Sequence, residues 1–326
     1  MNAHFVRIAA AIFVALSVTA AAPLARAAGT TQQSFASPQA AAQAFVAALG
    51  ANDTKALLAI LGPKSKPLLY SGDSAADAEA VAAFVQRYEE ANAIQQPSDT
   101  QAILETGKDQ WPFPIPLVKD ASGWRFDTAA GAEEVLARRI GRNELSTIQA
   151  ALAFVDAQRE YYERNPEKSA LLHYARKFIS SEGKRDGLYY PTSDGEEPSP
   201  LGSLFAEAKA EGYRRLKDKP TPYHGYYYRM LDGQGPHAND GAYDYVAQGV
   251  LLGGFALVAY PATYGNSGVM TFLVNQDGAI FQKDLGPKTA ATAQAMKRFD
   301  PDDSWQRVPD PDQAVENATA EAEESP

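Results

Sequence analysis

Apolar residues recur at three- and four-residue steps over two stretches of this chain and alternate over two others, which divides it into a helix–sheet–helix–sheet order. Ser37-Pro38 opens the first helix, because Ser can cap free backbone N–H groups and Pro fits the first helical position. Ala41, Ala42, Phe45, Val46 and Leu49 then form one apolar stripe, closed by Gly50. Asn52-Asp53 caps a second, short helix through Leu61, which Gly62-Pro63 stops. Ser74 opens a third, with Val81, Phe84, Val85 and Tyr88 on its buried side. The period then changes to two. Ile103 to Thr106, Ile115 to Val118 and Trp124 to Phe126 read as strands, with a turn at Ala121-Ser122-Gly123. Pro112, Pro114 and Pro116 cannot donate ladder hydrogen bonds, which puts that segment at a sheet edge.

From Ala132 to about Arg164, the apolar positions Leu136, Ile140, Leu145, Ile148, Leu152, Val155 and Tyr162 mostly keep helical steps. One long helix is expected, with Gly141 as a kink candidate and Asn165-Pro166 as its end. Its charged residues, among them Arg138, Arg139, Arg142, Glu144 and Arg159, read as a solvated face. Residues 167 to 220 are loop-rich, with short helices expected around Ala170 to Phe178 and Leu201 to Glu211. A second sheet follows. Tyr223 to Met230 is its first strand, Phe255 to Tyr260 and Val269 to Asn275 form a hairpin, and Ala279 to Lys283 follows the Gln276-Asp277-Gly278 turn. The fold class is therefore α+β. N-terminal helices with a small curled antiparallel sheet occupy residues 33–130, and the long internal helix with a C-terminal antiparallel meander occupies 131–308. Roughly 300 residues exceed the size at which a single core usually keeps growing, which supports two domains.

Residues 1–27 read as a secretory signal peptide: a short leader ending at Arg7, the apolar run Ile8 to Val18, and a small-x-small site at Ala25-Arg26-Ala27. The run is shorter than the roughly 20 residues that span a bilayer, so no transmembrane anchor is expected after cleavage. Cleavage after Ala27 removes Arg7 and Arg26 and no acid, which takes 30 basic residues to 28 against 40 acidic, a net charge of −12. Such a charge argues against nucleic-acid partners, which need clustered cations to release counterions. The expected location is the periplasm or the exterior. With no cysteine, neither disulfides nor thiolate metal sites nor thiol nucleophiles are available. The tail at 309–326, with six acids and no bases, reads as disordered.

Particular phrases carry resemblances. The stretch Ser37 to Leu61, containing AAAQAFVAALGANDTKALLAIL, is similar to the opening of nuclear-transport-factor-2-like domains, whose cone often encloses a ligand pocket. RIGRNELSTIQAALAFVDAQREYYE at 139–163, the Pro222–Arg229 block, and GFALVAYPATYGNSGVMTFLVNQDGAIFQKDLG at 254–286 together resemble a bacterial exported family, domain of unknown function 2950. That resemblance implies export and this architecture and transfers no catalytic residues. The helix-plus-meander half is also similar in plan to the globular domains of type IV pilins and type II secretion pseudopilins. Pilins begin with an apolar helix, whereas this helix is internal and amphipathic, so filament assembly through it is not implied.

Candidate chemistry is sparse. His173, His224 and His237 show no metal-ligand spacing, although His224 and His237 flank one loop and could meet. Ser267 in Gly265-Asn266-Ser267-Gly268 departs from the nucleophile-elbow pattern by one residue and reads as a polar turn. No GxGxxG or Walker loop occurs, and no cofactor is expected. Asn275, Asp277 and Asp284 are weak calcium candidates: Leu273 stands where the first acidic ligand belongs, and an Asp-Gly turn explains the motif. Half of the 16 tyrosines lie between Thr221 and Gly286. On alternating strand positions Tyr226 and Tyr228 share a side, and with Tyr264, His224 and His237 they make a candidate binding surface, set against plain cross-strand packing. The expected function is a non-catalytic binding or assembly module that takes an envelope protein or a small ligand. The alternative is an envelope hydrolase or carbohydrate-active enzyme, with carboxylates such as Asp240 or Asp244 brought together by folding.

Overall fold

The computed structural model describes residues 32–214 and 220–309. The segment expected to be a signal peptide, and the acidic tail from residue 310, lie outside the described residues. Helices α1 (Pro38–Gly50) and α2 (Thr54–Leu61) start where the caps place them: Ser37 Oγ accepts from Ala40 N at 3.1 Å and Asp53 Oδ1 from Ala56 N at 3.0 Å. A short α3 (Lys66–Leu69) precedes α4 (Ser74–Glu90). The cap of α4 is Asp73 rather than Ser74, with Oδ1 accepting from both Ala75 N and Ala76 N.

Next come β1 (Asn92–Ser98), β2 (Gln101–Thr106), β3 (Trp111–Pro112), β4 (Leu117–Asp120) and β5 (Gly123–Phe126), antiparallel in the order β1-β2-β4-β5 with β3 also on β2. Strand β1 carries no alternating apolar signal because almost its whole length is exposed. The helices cover the other face of this sheet. Phe45, Phe84, Phe113 and Phe126 interlock there, with Phe45–Phe126 centroids 5.2 Å apart and Phe84–Phe113 5.1 Å apart.

Helix α5 (Thr128–Arg164) runs 37 residues without a break. Gly141, the kink candidate, lies inside this unbroken helix with open space around it. Asn165 ends the helix in the left-handed conformation at φ 45°. Near its start, Gly131 lies directly on Ile115. Further on, Ala151, Phe154, Val155 and Tyr161 enter a second core. Leu145, read as part of the apolar stripe, is 65% exposed. Two residues read as solvated are instead engaged, Arg139 across the two halves and Glu144 between α5 and the second sheet. Arg139 donates to Pro67 O, Leu68 O and Asn266 Oδ1, and Glu144 Oε1 accepts from Val269 N and Met270 N at 3.0 Å each.

After α6 (Gly202–Ala210), the second half contains β6 (Tyr226–Leu231), β7 (Gly233–Gln234), β8 (Tyr243–Asp244), β9 (Val246–Ala247), β10 (Val250–Leu251), β11 (Ala256–Pro261), β12 (Met270–Asn275), β13 (Ile280–Asp284), α7 (Thr289–Ala295) and β14 (Gln306–Arg307). The main sheet is an antiparallel meander, β14-β13-β12-β11-β6, and the pairs β7-β8 and β9-β10 lie apart from it. Helix α5 packs on one face and α7 on the other, so β11 and β12 are buried on both faces and read as continuous apolar runs. The architecture is α+β with a C-terminal antiparallel meander.

One expected helix is absent. Residues 170–178 form an irregular strap beside α5 with a single bridge at Tyr174, and the Gln158 amide holds Ala175 at both backbone groups, donating to its O at 2.8 Å and accepting from its N at 2.9 Å. That pair of bonds does the work of a neighbouring strand and overrides the weak local helix preference.

Candidate functional site

Strand β6 ends the main sheet, and the strap faces it without pairing to it. Between them lies a cleft of about 760 Å3. Tyr228, Met230 and Asp232 form one wall, Tyr174, Arg176 and Phe178 the other. Gly249-Val250 closes one side, and Tyr161, Glu167 and His173 line the interior with Lys177 and Asp186. A smaller cleft of about 410 Å3 shares Arg229, Met230 and Asp232, and adds Asp244, Lys297 and Arg298.

The acids of the main cleft are each held by a donor. Tyr161 Oη shares its proton between Glu167 Oε1 at 2.6 Å and Arg185 O at 3.0 Å. Burial, with the Glu167 carboxylate beside it, pushes the Tyr161 phenol well above its ordinary range, so it stays a neutral donor. Asp186 accepts from Lys177 Nζ at 2.7 Å and from Ser181 N and Oγ at 2.7 and 3.0 Å. Those bonds, Lys177 foremost, hold its carboxyl down to about 2. Asp232 pairs with Arg176, whose other nitrogen donates to Gly249 O at 3.1 Å. His173 Nδ1 lies 3.1 Å from Tyr174 O, an acceptor that requires the ring proton on Nδ1, while Nε2 sits 3.6 Å from Glu167.

Arg229 differs from these pairs. Its Nη2 donates to Ala293 O and Met296 O, but Nε is buried without a hydrogen-bond partner. The site therefore combines an aromatic interior, acids each engaged by a donor, and the Arg229 guanidinium. Such a set suits recognition of a ligand carrying both apolar and acidic groups.

Most residues singled out from the sequence lie elsewhere. Tyr226 is fully buried, with Oη donating to Met270 O at 2.9 Å. Tyr228 does line the cleft, and its hydroxyl reaches Thr147 Oγ1 at 3.3 Å. The side that these two tyrosines share is the one α5 covers, so they form no open patch. His224 and His237 have separate partners: His224 lies 3.5 Å from Glu211, and His237 Nδ1 lies 2.9 Å from Asp300. Tyr264 Oη donates to Asp284 at 3.1 Å. Asn275 and Asp277 bond each other at the β12–β13 turn, while Asp284 is at the far end of β13 opposite Met270, about 17 Å of strand away. No group of three or more metal-ligating side chains occurs among the described residues. Asp244 pairs with Arg298 at 2.6 Å beside the smaller cleft, and Asp240 sits in a left-handed turn at φ 66°. Ser267 Oγ accepts from Thr263 N at 2.9 Å within its turn.

Sequence reading missed the cleft because its residues are scattered through an irregular stretch with no periodicity. The available signal was length: long connections without regular structure are uncommon in compact domains and often carry function.

Residues 32–308 match the model of the family described as protein of unknown function DUF2950, and the chain belongs to that family. No curated protein and no solved structure matches it. No helix among the described residues is long and apolar enough to cross a membrane.

Proposed function

We propose that this chain is an exported, non-catalytic binding module of the bacterial envelope, built of two domains, with the cleft beside β6 as its binding site. The observation that carries the reading is the cleft's chemistry at an open sheet edge. Glu167, Asp186 and Asp232 are each engaged by a donor, so the walls present fixed hydrogen-bonding surface beside aromatic rings. Export rests on the leader at 1–27.

The test is photo-crosslinking in cells. A photoreactive residue replaces Val250 in the cleft and, as a control, Leu145 on the exposed side of α5. A discrete adduct at position 250 and none at 145, with the extracted protein beginning at Ala28, is the expected result. Equal labelling at both positions would overturn the assignment of the cleft, and an uncleaved cytosolic chain would overturn export.

The hydrolase alternative draws on the same place, since Glu167, Asp186 and His173 line one cleft. Incubation with purified envelope glycan, followed by mass spectrometry of released fragments, separates the two. Release by the native chain that is lost in Glu167→Gln would establish the enzyme.

A further inference from the structure

We infer that the cleft takes an extended peptide of alternating apolar and acidic residues, which adds as a new strand to the free edge of β6. This rests on the reading of the cleft as a binding site. The register fixes which backbone groups are free. Ala262 N donates to Gly225 O at 2.8 Å, and Pro261, which has no N–H, stands opposite Tyr226. In an antiparallel ladder such groups alternate, so Gly225, Tyr227, Arg229 and Leu231 point theirs at β11 and the even-numbered residues point theirs away.

At one end of that free edge Tyr226 is closed by mutual bonds with Tyr223, at 2.9 and 3.1 Å. At the other, Asp232 O accepts from Tyr245 N at 2.9 Å. Between them the N–H and C=O groups of Tyr228 and Met230 have no hydrogen-bond partner among the described residues, and both residues line the cleft. The strap makes no ladder with β6, and several of its backbone groups are engaged elsewhere. Tyr174 N donates to Leu251 O, both groups of Ala175 are held by Gln158, and Lys177 O and Phe178 O accept from Leu188 N and Tyr189 N.

An unpaired edge of this kind is the template for strand addition. Side-chain alternation then sets the preferred occupant. Residues on the α5 side of the added strand meet Tyr228, Met230, Tyr174 and Phe178, which favours apolar groups. Residues on the α7 side meet Arg229 and Lys297, and Lys297 makes no ion pair among the described residues; a carboxylate fits there.

The probe is a blocked hexapeptide of alternating valine and glutamate, added to the full mature chain labelled for NMR. Hydrogen exchange at the Tyr228 and Met230 amides is expected to slow roughly tenfold at saturation, with Tyr227 and Arg229 barely changed because they already pair with β11. Peptides N-methylated on alternate residues should split into two sets, one that binds and one weakened roughly tenfold. Met230→Pro removes one cleft-facing donor and leaves the β11 ladder intact; it should weaken binding comparably without altering the circular dichroism spectrum. A valine–lysine peptide binding as well as the valine–glutamate one would overturn the acidic preference. Slow exchange at Tyr228 and Met230 before any peptide is added would overturn the proposal. If independent of concentration it assigns the edge to the chain itself, and if dependent on it, to a second copy. Crosslinking at position 250 without protection of these amides overturns strand addition and leaves the binding reading standing. Neither crosslink nor protection overturns both.

Discussion

Asp73→Ala removes one carboxylate from four hydrogen bonds at the junction of the two cores. Asp73 is 2% exposed. Oδ1 accepts from Ala75 N and Ala76 N at 3.2 Å each and so caps α4. Oδ2 accepts from Tyr213 Oη at 2.9 Å and from Gly225 N at 2.8 Å, the residue before β6. Losing the cap costs about 1 kcal/mol. Leaving the buried Gly225 N–H and the Tyr213 hydroxyl without an acceptor costs about 1–3 kcal/mol each. The expected loss is therefore about 3–7 kcal/mol, read by urea unfolding. Two probes are needed, because fluorescence weights Trp111 and Trp124 in the first half, with Trp305 alone in the second, whereas circular dichroism reports on both. Asp73→Asn keeps a good cap but turns an amide donor towards the Gly225 N–H, so it should fall between the native chain and Ala. A double-mutant cycle with Tyr213→Phe should give a coupling of about 1–2 kcal/mol. Additive single losses, or a total under about 1 kcal/mol, would refute the account of Asp73 as the shared anchor.

Two glycines of α5 should respond to alanine with opposite signs. Gly141 has open space around it, so Gly141→Ala should stabilise by about 1 kcal/mol, whereas a Cβ at Gly131 would lie 2.5 Å from Pro114 O, and Gly131→Ala should destabilise despite the same gain in propensity. Thermal melts decide both. Glu211 is raised above the ordinary carboxylate range, chiefly by burial, with His224 opposing and Glu79 and Glu207 adding to it, and its Oε2 lacks a hydrogen bond. A raised carboxyl favours the fold below its ordinary value and loses that contribution as pH rises, so Glu211→Gln should stabilise near pH 7 and make no difference near pH 4. Asp186 is the reverse case: held down to about 2, it contributes fully above the ordinary carboxylate value, and the contribution is lost as pH falls through about 2. Asp186→Asn should thus destabilise at pH 7, with the difference closing in more acidic urea titrations.

The helices were legible because their ends are local. Ser37, Asp53 and Asn165 act within a few residues of themselves, and the apolar steps of α1 and α5 need no knowledge of partners. The hairpin of β11 and β12 was legible for the same reason, as a buried apolar run bounded by turns. Strand β1 was not, since a strand exposed along nearly its whole length is held by its ladder to β2 rather than by burial. Helix α7 has no strong stripe: Thr289 and Ala293 are its buried residues, and small residues leave little periodicity to read. The tyrosine block shows the limit of pattern. Alternation correctly put Tyr226 and Tyr228 on one side, but whether that side met water depended on where α5, eighty residues earlier, would lie.

The cleft was illegible for a further reason, which also explains why it stays open. A sheet edge next to an extended segment ordinarily closes by pairing, since each added ladder bond satisfies two backbone groups at once. Here Gln158, wholly buried on α5, takes both backbone groups of Ala175 first and draws the strap towards the helix rather than towards β6. A polar residue at an otherwise apolar helical position looks, in sequence, like a break in the stripe. In the fold it acts as a substitute strand, and its two bonds leave Tyr228 and Met230 facing a gap. Gln158→Leu would leave both groups of Ala175 without partners while keeping the volume. The strap is then free to pair with β6, and the cleft closes at the expense of binding, not of the meander.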